Sequence, residues 1–265
     1  YVNDAFGTAH RAHASTTVVA KFFSQEKKCF GYLMAKEVEN LRKILNNPEK
    51  PFTAIIGGAK VSDKIKVLQA LLKVADNIII GGAMAFTFIK AKGGMIGKSL
   101  CEHECIDIAL NFLEEAEVRN AKEIRNIKIY LPVDAVCAKE FADTSEKNIF
   151  DSSAIPEEWM GLDIGPKSIT IFRDIIASSK SILWNGPMGV FEFTNFEEGT
   201  KQVALIVAET TEKNKAFSVV GGGDSVAAIH KFRLDNQISF ISTGGGAMLE
   251  FIENGTLPGI EAMEK

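Results

Sequence analysis

The stretch PFTAIIGGAKVSDK, residues 51–64, decides the fold class. From Phe52 to Ile56 the residues are apolar or β-branched without polar alternation, the pattern of a strand covered on both faces. Two glycines close the run. Lys64–Ala75 then sets Ile65, Leu68, Leu71, Leu72 and Ala75 at helical spacing. The same order recurs at Asn77–Gly82, Ile127–Asp134, Ser181–Gly186, Ala216–Gly223 and Ile238–Gly244, with helical stretches at Cys101–Val118, Phe196–Thr211 and Ser225–Phe232. Alternating strands and helices make right-handed βαβ units. The pattern predicts an α/β fold, doubly wound, with a mostly parallel, six-stranded, Rossmann-like sheet and helices on both faces. In such folds ligands bind beyond the carboxyl ends of the strands. The glycines gather there: Gly57-Gly58, Gly81-Gly82, Gly186, Gly221–Gly223 and Gly244–Gly246.

Outside that unit, Phe30–Leu45 reads as an amphipathic helix stopped by Asn46-Asn47-Pro48, and Ala142–Ile164 reads as polar and loop-rich. The chain has 265 residues, enough to bury a core without disulfides or structural metal. Its formal net charge of −4 argues against a dedicated nucleic-acid binder, which is usually basic. The uncharged run Asn77–Ile89 falls short of the roughly 20 apolar residues of a spanning helix. The four cysteines, Cys29, Cys101, Cys105 and Cys137, form no regular disulfide framework, so a cytoplasmic location and no membrane partner are expected. The chain opens on Tyr1, without Met, in a strand-like run, which suggests the interior of a longer protein.

Several segments offer chemistry. Gly57–Lys64 lacks the Walker A spacing, yet its small residues expose backbone N–H groups before a helix, and Lys60 and Lys64 stand four apart. A strand-to-helix turn with two solvated lysines fits the same residues. In Gly221-Gly222-Gly223-Asp224-Ser225, Asp224 reads as a helix cap or as a carboxylate for magnesium, whose remaining shell would be phosphate and water. Thr243–Gly246 repeats the arrangement, or is simply a tight turn. Trp184–Glu192 makes a rigid loop that could line a base or ribose, with Glu192 accepting from a hydroxyl; Trp184 and Phe191 also read as core. His10, Arg11 and His13 concentrate cationic capacity suited to a carboxylate or phosphate, or form a surface basic cluster. Cys101, His103 and Cys105 look metal-like, but on one helix His103 would point away from the two cysteines. No Ser/His/Asp triad and no GxGxxG set with a distal acid can be assembled. Phosphoryl transfer, where positioning and charge neutralisation suffice, fits the residues present.

Taken together, YVNDAFGTAHRAH (Tyr1–His13), GGAKVSDK (Gly57–Lys64), IIIGGAMAFTF (Ile78–Phe88), LPVD (Leu131–Asp134), GLDIGP (Gly161–Pro166), WNGPMGVFEF (Trp184–Phe193), GGGDS (Gly221–Ser225), STGGGA (Ser242–Ala247) and LPG (Leu257–Gly259) resemble the phosphoglycerate kinase family, in that family's order and from end to end. The resemblance implies reversible phosphoryl transfer between 1,3-bisphosphoglycerate and ADP, giving ATP and 3-phosphoglycerate, with Mg²⁺. It implies a nucleotide pocket of Gly57, Gly58, Ala59, Gly81 and Gly82, with Leu100, Phe141 and Leu162 near the base. Asn185, Pro187, Gly189, Val190 and Glu192 would contact phosphate or ribose, within the same nucleotide site as Gly221, Gly222 and Gly223. Lys60 would stabilise the transferring phosphoryl and Lys64 would bind nucleotide phosphate. Asp224 would hold the metal and Ser225 an adjacent phosphate. Gly244, Gly245 and Gly246 would offer N–H groups to the phosphoryl in flight, and Arg11, flanked by His10 and His13, would reach the triose.

Ser225 stands where the family usually has Thr, Ala83 replaces a common glycine, and Met188 occupies a position often held by a smaller residue or Pro. The resemblance divides the chain into the end of a triose-binding domain (1–29), an interdomain helix (30–47), a nucleotide-binding domain (48–246) and a segment returning to the first domain (247–265). Most of the arginine-rich triose site has no counterpart, since only Arg11 among the six arginines lies in a substrate motif. The expectation is a monomeric, Mg-nucleotide-binding part of the enzyme that is inactive without the N-terminal domain as its partner. A non-catalytic nucleotide-binding module is the rival reading.

Overall fold

The computed structural model describes residues 1–122, 124 and 126–265. Near the start, β1 (Val2–Asn3) pairs in parallel with β2 (Cys29–Phe30). Helix α1 (Tyr32–Asn46) follows, and its first turn is capped from a distance. The Asp4 carboxylate accepts the Met34 N–H at 2.9 Å. Met34, Val38, Leu41 and Ile44 repeat at helical spacing and are buried. Glu37 is buried beside them. It accepts from Ser242 Oγ, Thr243 N–H and Thr243 Oγ1 at 2.7–2.8 Å, which fixes the loop before the triple glycine.

The central sheet begins with β3 (Phe52–Ile56), then α2 (Ile65–Leu71), β4 (Asn77–Ile80), α3 (Met84–Ala91), a short β5 (Met95–Ile96), α4 (Ile106–Ala121) and β6 (Lys128–Tyr130). The chain then leaves the sheet for β7 (Asp134–Ala138), β8 (Lys147–Asp151), β9 (Ala154–Ile155) and β10 (Met160–Ile164). It returns through α5 (Pro166–Ala177), β11 (Ser181–Asn185), α6 (Glu198–Asn214), β12 (Phe217–Gly221), α7 (Gly223–Lys231), β13 (Phe240–Ile241), α8 (Gly246–Asn254) and α9 (Pro258–Glu264).

The six strands run β13-β12-β11-β3-β4-β6, and every pairing is parallel. All five residues of β3 and of β11 are buried. Alternate side chains go to opposite cores. Ala54, Ile56, Ile78, Ile80 and Leu183 join the cluster under α1–α4 and α8, whereas Ile55, Ile79, Ile182, Trp184 and Val220 join the cluster under α5–α7. The unbroken apolar runs therefore report double coverage. Strand order reverses between β3 and β11: the chain builds outward from β3 through β4 to β6, then outward on the other side from β11 to β13. That reversal is the position at which an open α/β sheet leaves a crevice.

Three sequence expectations are corrected. Ala142–Ile164 is not loop: it carries β8, β9 and β10, and β10-β7-β8 form an antiparallel sheet. β8 is an outer strand whose residues are mostly exposed, so it lacks the apolar alternation that marks a half-buried strand. Ile127–Asp134 is not one strand. β6 stops at Tyr130 before Pro132, and Asp134 opens β7 in the other sheet. Cys101 and Cys105 do not share a helical face, because α4 starts only at Ile106.

Candidate functional site

Three loops meet above the reversal. The Gly57 N–H donates to Asn185 O, and the Gly58 N–H to Pro187 O, each at 2.9 Å. Gly82 N–H donates to Met188 O at 3.1 Å, and Met84 N–H to Gly58 O at 3.0 Å. A Cβ on Gly57 would lie 2.7 Å from Gly186 O and closer still to Pro187 O. The backbones are thus laced together with no space for side chains. Gly58 and Gly186 also have φ of +103° and +93°, the left-handed region that glycine enters freely.

This glycine wall forms one side of a cleft of about 540 Å³, within the usual range for a small-molecule site. The antiparallel sheet supplies the other side through Met160, Leu162, Asp163 and Ile164. The cleft collects Gly58, Ala59, Gly82, Leu100, Phe141, Leu162, Pro187, Gly189, Val190, Glu192 and Asp224 from the residues singled out in the sequence. Leu100 and Phe141 are 55% and 63% exposed, an apolar pair at the cleft's rim. Phe141 is steadied by the Phe193 ring at 5.0 Å. The lining is therefore largely apolar, and Asp224 in the first turn of α7 adds an exposed carboxylate to it.

The charged groups differ in setting. Lys60 is exposed. Lys64 turns back into the wall, where Nζ donates to Gly57 O at 2.6 Å. Burial pushes its pKa down from 10.5 to about 8, against the upward pull of Asp224 and Asp63. The Asp224 carboxylate is exposed and makes no hydrogen bond or ion pair among the described residues. A free carboxylate in the first turn of a helix suits Mg²⁺, which keeps several waters and phosphate oxygens in its shell. No cluster of three or more His, Cys, Asp or Glu suited to a metal occurs among the described residues.

Other residues singled out in the sequence sit outside the cleft. Ser225 Oγ is fully buried and accepts the Gly186 N–H at 2.5 Å. Asn185 is buried and spends its amide on Gly221 O at 2.8 Å, beneath Gly222. Gly57 and Gly81 are buried in the wall behind the cleft, while Gly223 begins α7 with open space around it. Gly244 packs on the Phe6 ring, and Gly245 and Gly246 lead into α8, away from the cleft. Next to α8, His10 Nε2 lies 3.9 Å from Glu250, and its Nδ1 is buried without a partner. Arg11 and His13 are exposed beside it.

Sequence reasoning missed Asp163. Its carboxylate is buried under the cleft and accepts N–H groups from Ile164 at 2.9 Å and Gly199 at 2.6 Å. Gly189 and Gly199 both pack directly on it. An acid inside the apolar run of GLDIGP was the available signal. Burial lifts its pKa from 3.8 to about 8, although the two N–H groups pull down. The folded state then keeps a proton that the unfolded state releases near 3.8, so stability falls as pH rises through that window. Asp163→Asn is expected to flatten this slope, as measured by thermal melts across the window. An unchanged slope would assign the pH dependence elsewhere.

No helix among the described residues is long and apolar enough to cross a membrane. Fold and site define a doubly wound α/β protein with a small-molecule cleft at its topological switch point. Residues 1–255 match the family model of phosphoglycerate kinase. The chain is 50% identical over 264 residues to the phosphoglycerate kinase of Porphyromonas gingivalis (strain ATCC BAA-308 / W83), covering 100% of this chain and 62% of that protein. It is 51% identical to that of Thermosipho africanus (strain TCF52B), covering 99% and 63%. The solved phosphoglycerate kinase from Coxiella burnetii superposes with a TM-score of 0.91 at 44% identity, covering 99% of this chain and 64% of that one. The one from Pyrococcus horikoshii OT3 gives 0.79 at 34%, covering 99% and 63%. The chain belongs to the phosphoglycerate kinase family, and it spans a little under two thirds of the length of these relatives.

Proposed function

We propose that the chain binds Mg-ADP or Mg-ATP in the cleft and supplies the nucleotide half of a reversible phosphoryl transfer. Its triose partners are 1,3-bisphosphoglycerate and 3-phosphoglycerate, as in glycolysis. The observation that carries this reading is the polarity of the cleft, apolar at Leu100, Phe141 and Leu162 and anionic at Asp224, above a glycine wall at the switch point. The base lies against the apolar end. Pro187, Gly189, Val190 and Glu192 take the ribose, and Glu192 accepts from its hydroxyl. The phosphates run along Gly58 and Ala59 toward Asp224. Bound Mg²⁺ neutralises phosphate charge there, with Asp224 as its protein ligand. Lys64 leaves Gly57 O to meet a phosphate, and Lys60 is free to meet the phosphoryl being transferred.

The placement of Ser225 and Asn185 refines these roles. Both stiffen the wall from behind, Ser225 Oγ by accepting the Gly186 N–H and the Asn185 amide N–H by donating to Gly221 O. Gly244–Gly246 offer N–H groups to the phosphoryl in flight, and Arg11 with His10 and His13, beside α8 through the approach of His10 to Glu250, serves the triose end. Turnover needs the portion of the relatives that this chain does not match, because Arg11 is the only arginine in that group. Phe22 and Tyr32, 82% and 96% exposed, form part of the surface that portion covers. On its own the chain is a monomer that binds nucleotide without turning over.

Titration calorimetry tests the reading. Mg-ADP is expected to bind and 3-phosphoglycerate to bind weakly. Asp224→Asn is expected to remove most of the gain in ADP affinity that Mg²⁺ gives, about 10-fold or more, while leaving metal-free ADP binding nearly unchanged. Equal loss with and without metal would show that Asp224 serves the fold instead.

A further inference from the structure

Residues 98–102 cross from the antiparallel sheet to the lysine loop, and each end of this strap is tied. At one end the Lys98 N–H donates to Trp159 O at 2.8 Å, and Ser99 Oγ accepts the Gly161 N–H at 2.9 Å. The Leu100 side chain enters the apolar end of the cleft. At the other end the Glu102 N–H donates to the buried Thr87 Oγ1 of α3 at 3.1 Å. The Glu102 carboxylate then reaches across the chain. It accepts Val61 N–H at 2.5 Å, Ser62 N–H at 3.1 Å and Ser62 Oγ–H at 2.6 Å. Those two amides follow directly on Lys60. Between Gly58 and Ile65 the backbone is neither strand nor regular helix, so its own ladder supports it little.

We propose that Glu102 is the positioning residue for the lysine loop, tying the Lys60 backbone to the strap that carries Leu100 at the base end of the cleft. It touches no substrate. It gathers three donors on one carboxylate and converts a turn into a fixed platform, so the distance from the base wall to Lys60 is set by one short rigid path. The assignment deepens the nucleotide reading and rests on it for the ligand, while the holding of the loop is independent of any ligand.

The test uses this chain with Glu102→Ala and Glu102→Gln, and reads two quantities. The first is amide hydrogen exchange at Val61 and Ser62. Glu102→Ala is expected to speed it about 10-fold or more, with the β3 amides unchanged. The second is affinity for Mg-ADP and for adenosine. Glu102→Ala is expected to weaken Mg-ADP about 10-fold and adenosine by less than about twofold. Glu102→Gln keeps a carbonyl acceptor for both amides and is expected to recover both readouts to within about threefold of the parent. Should the Ala variant fail to fold, Glu102→Asp, one methylene too short for the same reach, carries the same expectation. Unchanged exchange overturns the proposal. So does equal weakening of ADP and adenosine, or a Gln variant no better than Ala. If the parent chain binds no ADP, the nucleotide reading falls, and the exchange measurement alone still decides whether Glu102 holds the loop.

Discussion

Lys64→Met is expected to make the ligand-free chain more stable and its nucleotide binding much weaker. The Lys64 ammonium is mostly buried, and its pKa falls from 10.5 to about 8. Keeping it charged at neutral pH therefore costs the fold about 3 kcal/mol. Methionine fills a similar volume without the charge. Losing the bond to Gly57 O returns roughly 1 kcal/mol of that gain. A net gain of about 2 kcal/mol raises the melting temperature by about 4–8 °C for a chain of this size. The sign has a pH signature. The folded state loses the lysine proton near 8 and the unfolded state near 10.5, so parent stability rises with pH between those values. The Met variant lacks that rise. Affinity for Mg-ADP should fall about 10–100-fold, the loss of a charge-assisted contact to phosphate. Melts at several pH values and one titration check the whole prediction. A Met variant with the parent's melting temperature and pH slope would show that the ammonium is well solvated.

Gly57→Ala is expected to damage the fold itself. The backbone of Gly57 lies outside the left-handed region, so conformational freedom is not the reason. The obstacle is space: the added methyl meets Pro187 O, Gly186 O and the Met188 methyl at once. Two of these are backbone carbonyls of a loop that is itself bonded to Gly57 and Gly58. Relief requires breaking those bonds or parting β3 from β11. The expected loss is about 3 kcal/mol, a fall of about 6–12 °C in melting temperature, with nucleotide binding lost as well. Gly223→Ala is the control, because nothing lies within 4 Å of a Cβ there. It should leave the melt nearly unchanged or raise it slightly, since alanine suits a helix better than glycine. Similar melts for both variants would refute the tight packing of the wall.

The parallel sheet was legible because burial on both faces leaves a mark that needs no partner to be seen. Phe52–Ile56 and Ser181–Asn185 are apolar on both sides, and glycine follows each. The antiparallel sheet was illegible for the converse reason. β8 is mostly exposed, and β10 interrupts its apolar run with Gly161 and Asp163. In the site, residue type and position singled out Asp224 and Lys60 but fitted a helix cap and a solvated lysine equally, and only the family resemblance gave them roles. Whether Ser225 faced ligand or wall could not be read, because a hydroxyl at a helix start serves either. Leu100, Phe141 and Leu162 came from the family resemblance alone, as no spacing brings residues so far apart to one cleft. Glu102 and Glu37 were missed for a related reason: each bonds a loop 40 or more residues away, and sequence periodicity reports only neighbours.

The order β13-β12-β11-β3-β4-β6 also sets a timetable for synthesis. A ribosome delivers β3, β4 and β6 first, and these can pair as they emerge. The other edge of β3 then waits for Ser181–Asn185, with its backbone donors and acceptors unpaired. Contacts of such sequence separation form slowly, and the waiting edge is a template for wrong pairing. The glycine wall cannot exist before that step, because half of it belongs to the loop after β11. A ligand seated on that wall would therefore lock the finished sheet without guiding its early assembly. A nascent chain stalled before β11 should bind chaperones of unpaired strands rather than ADP.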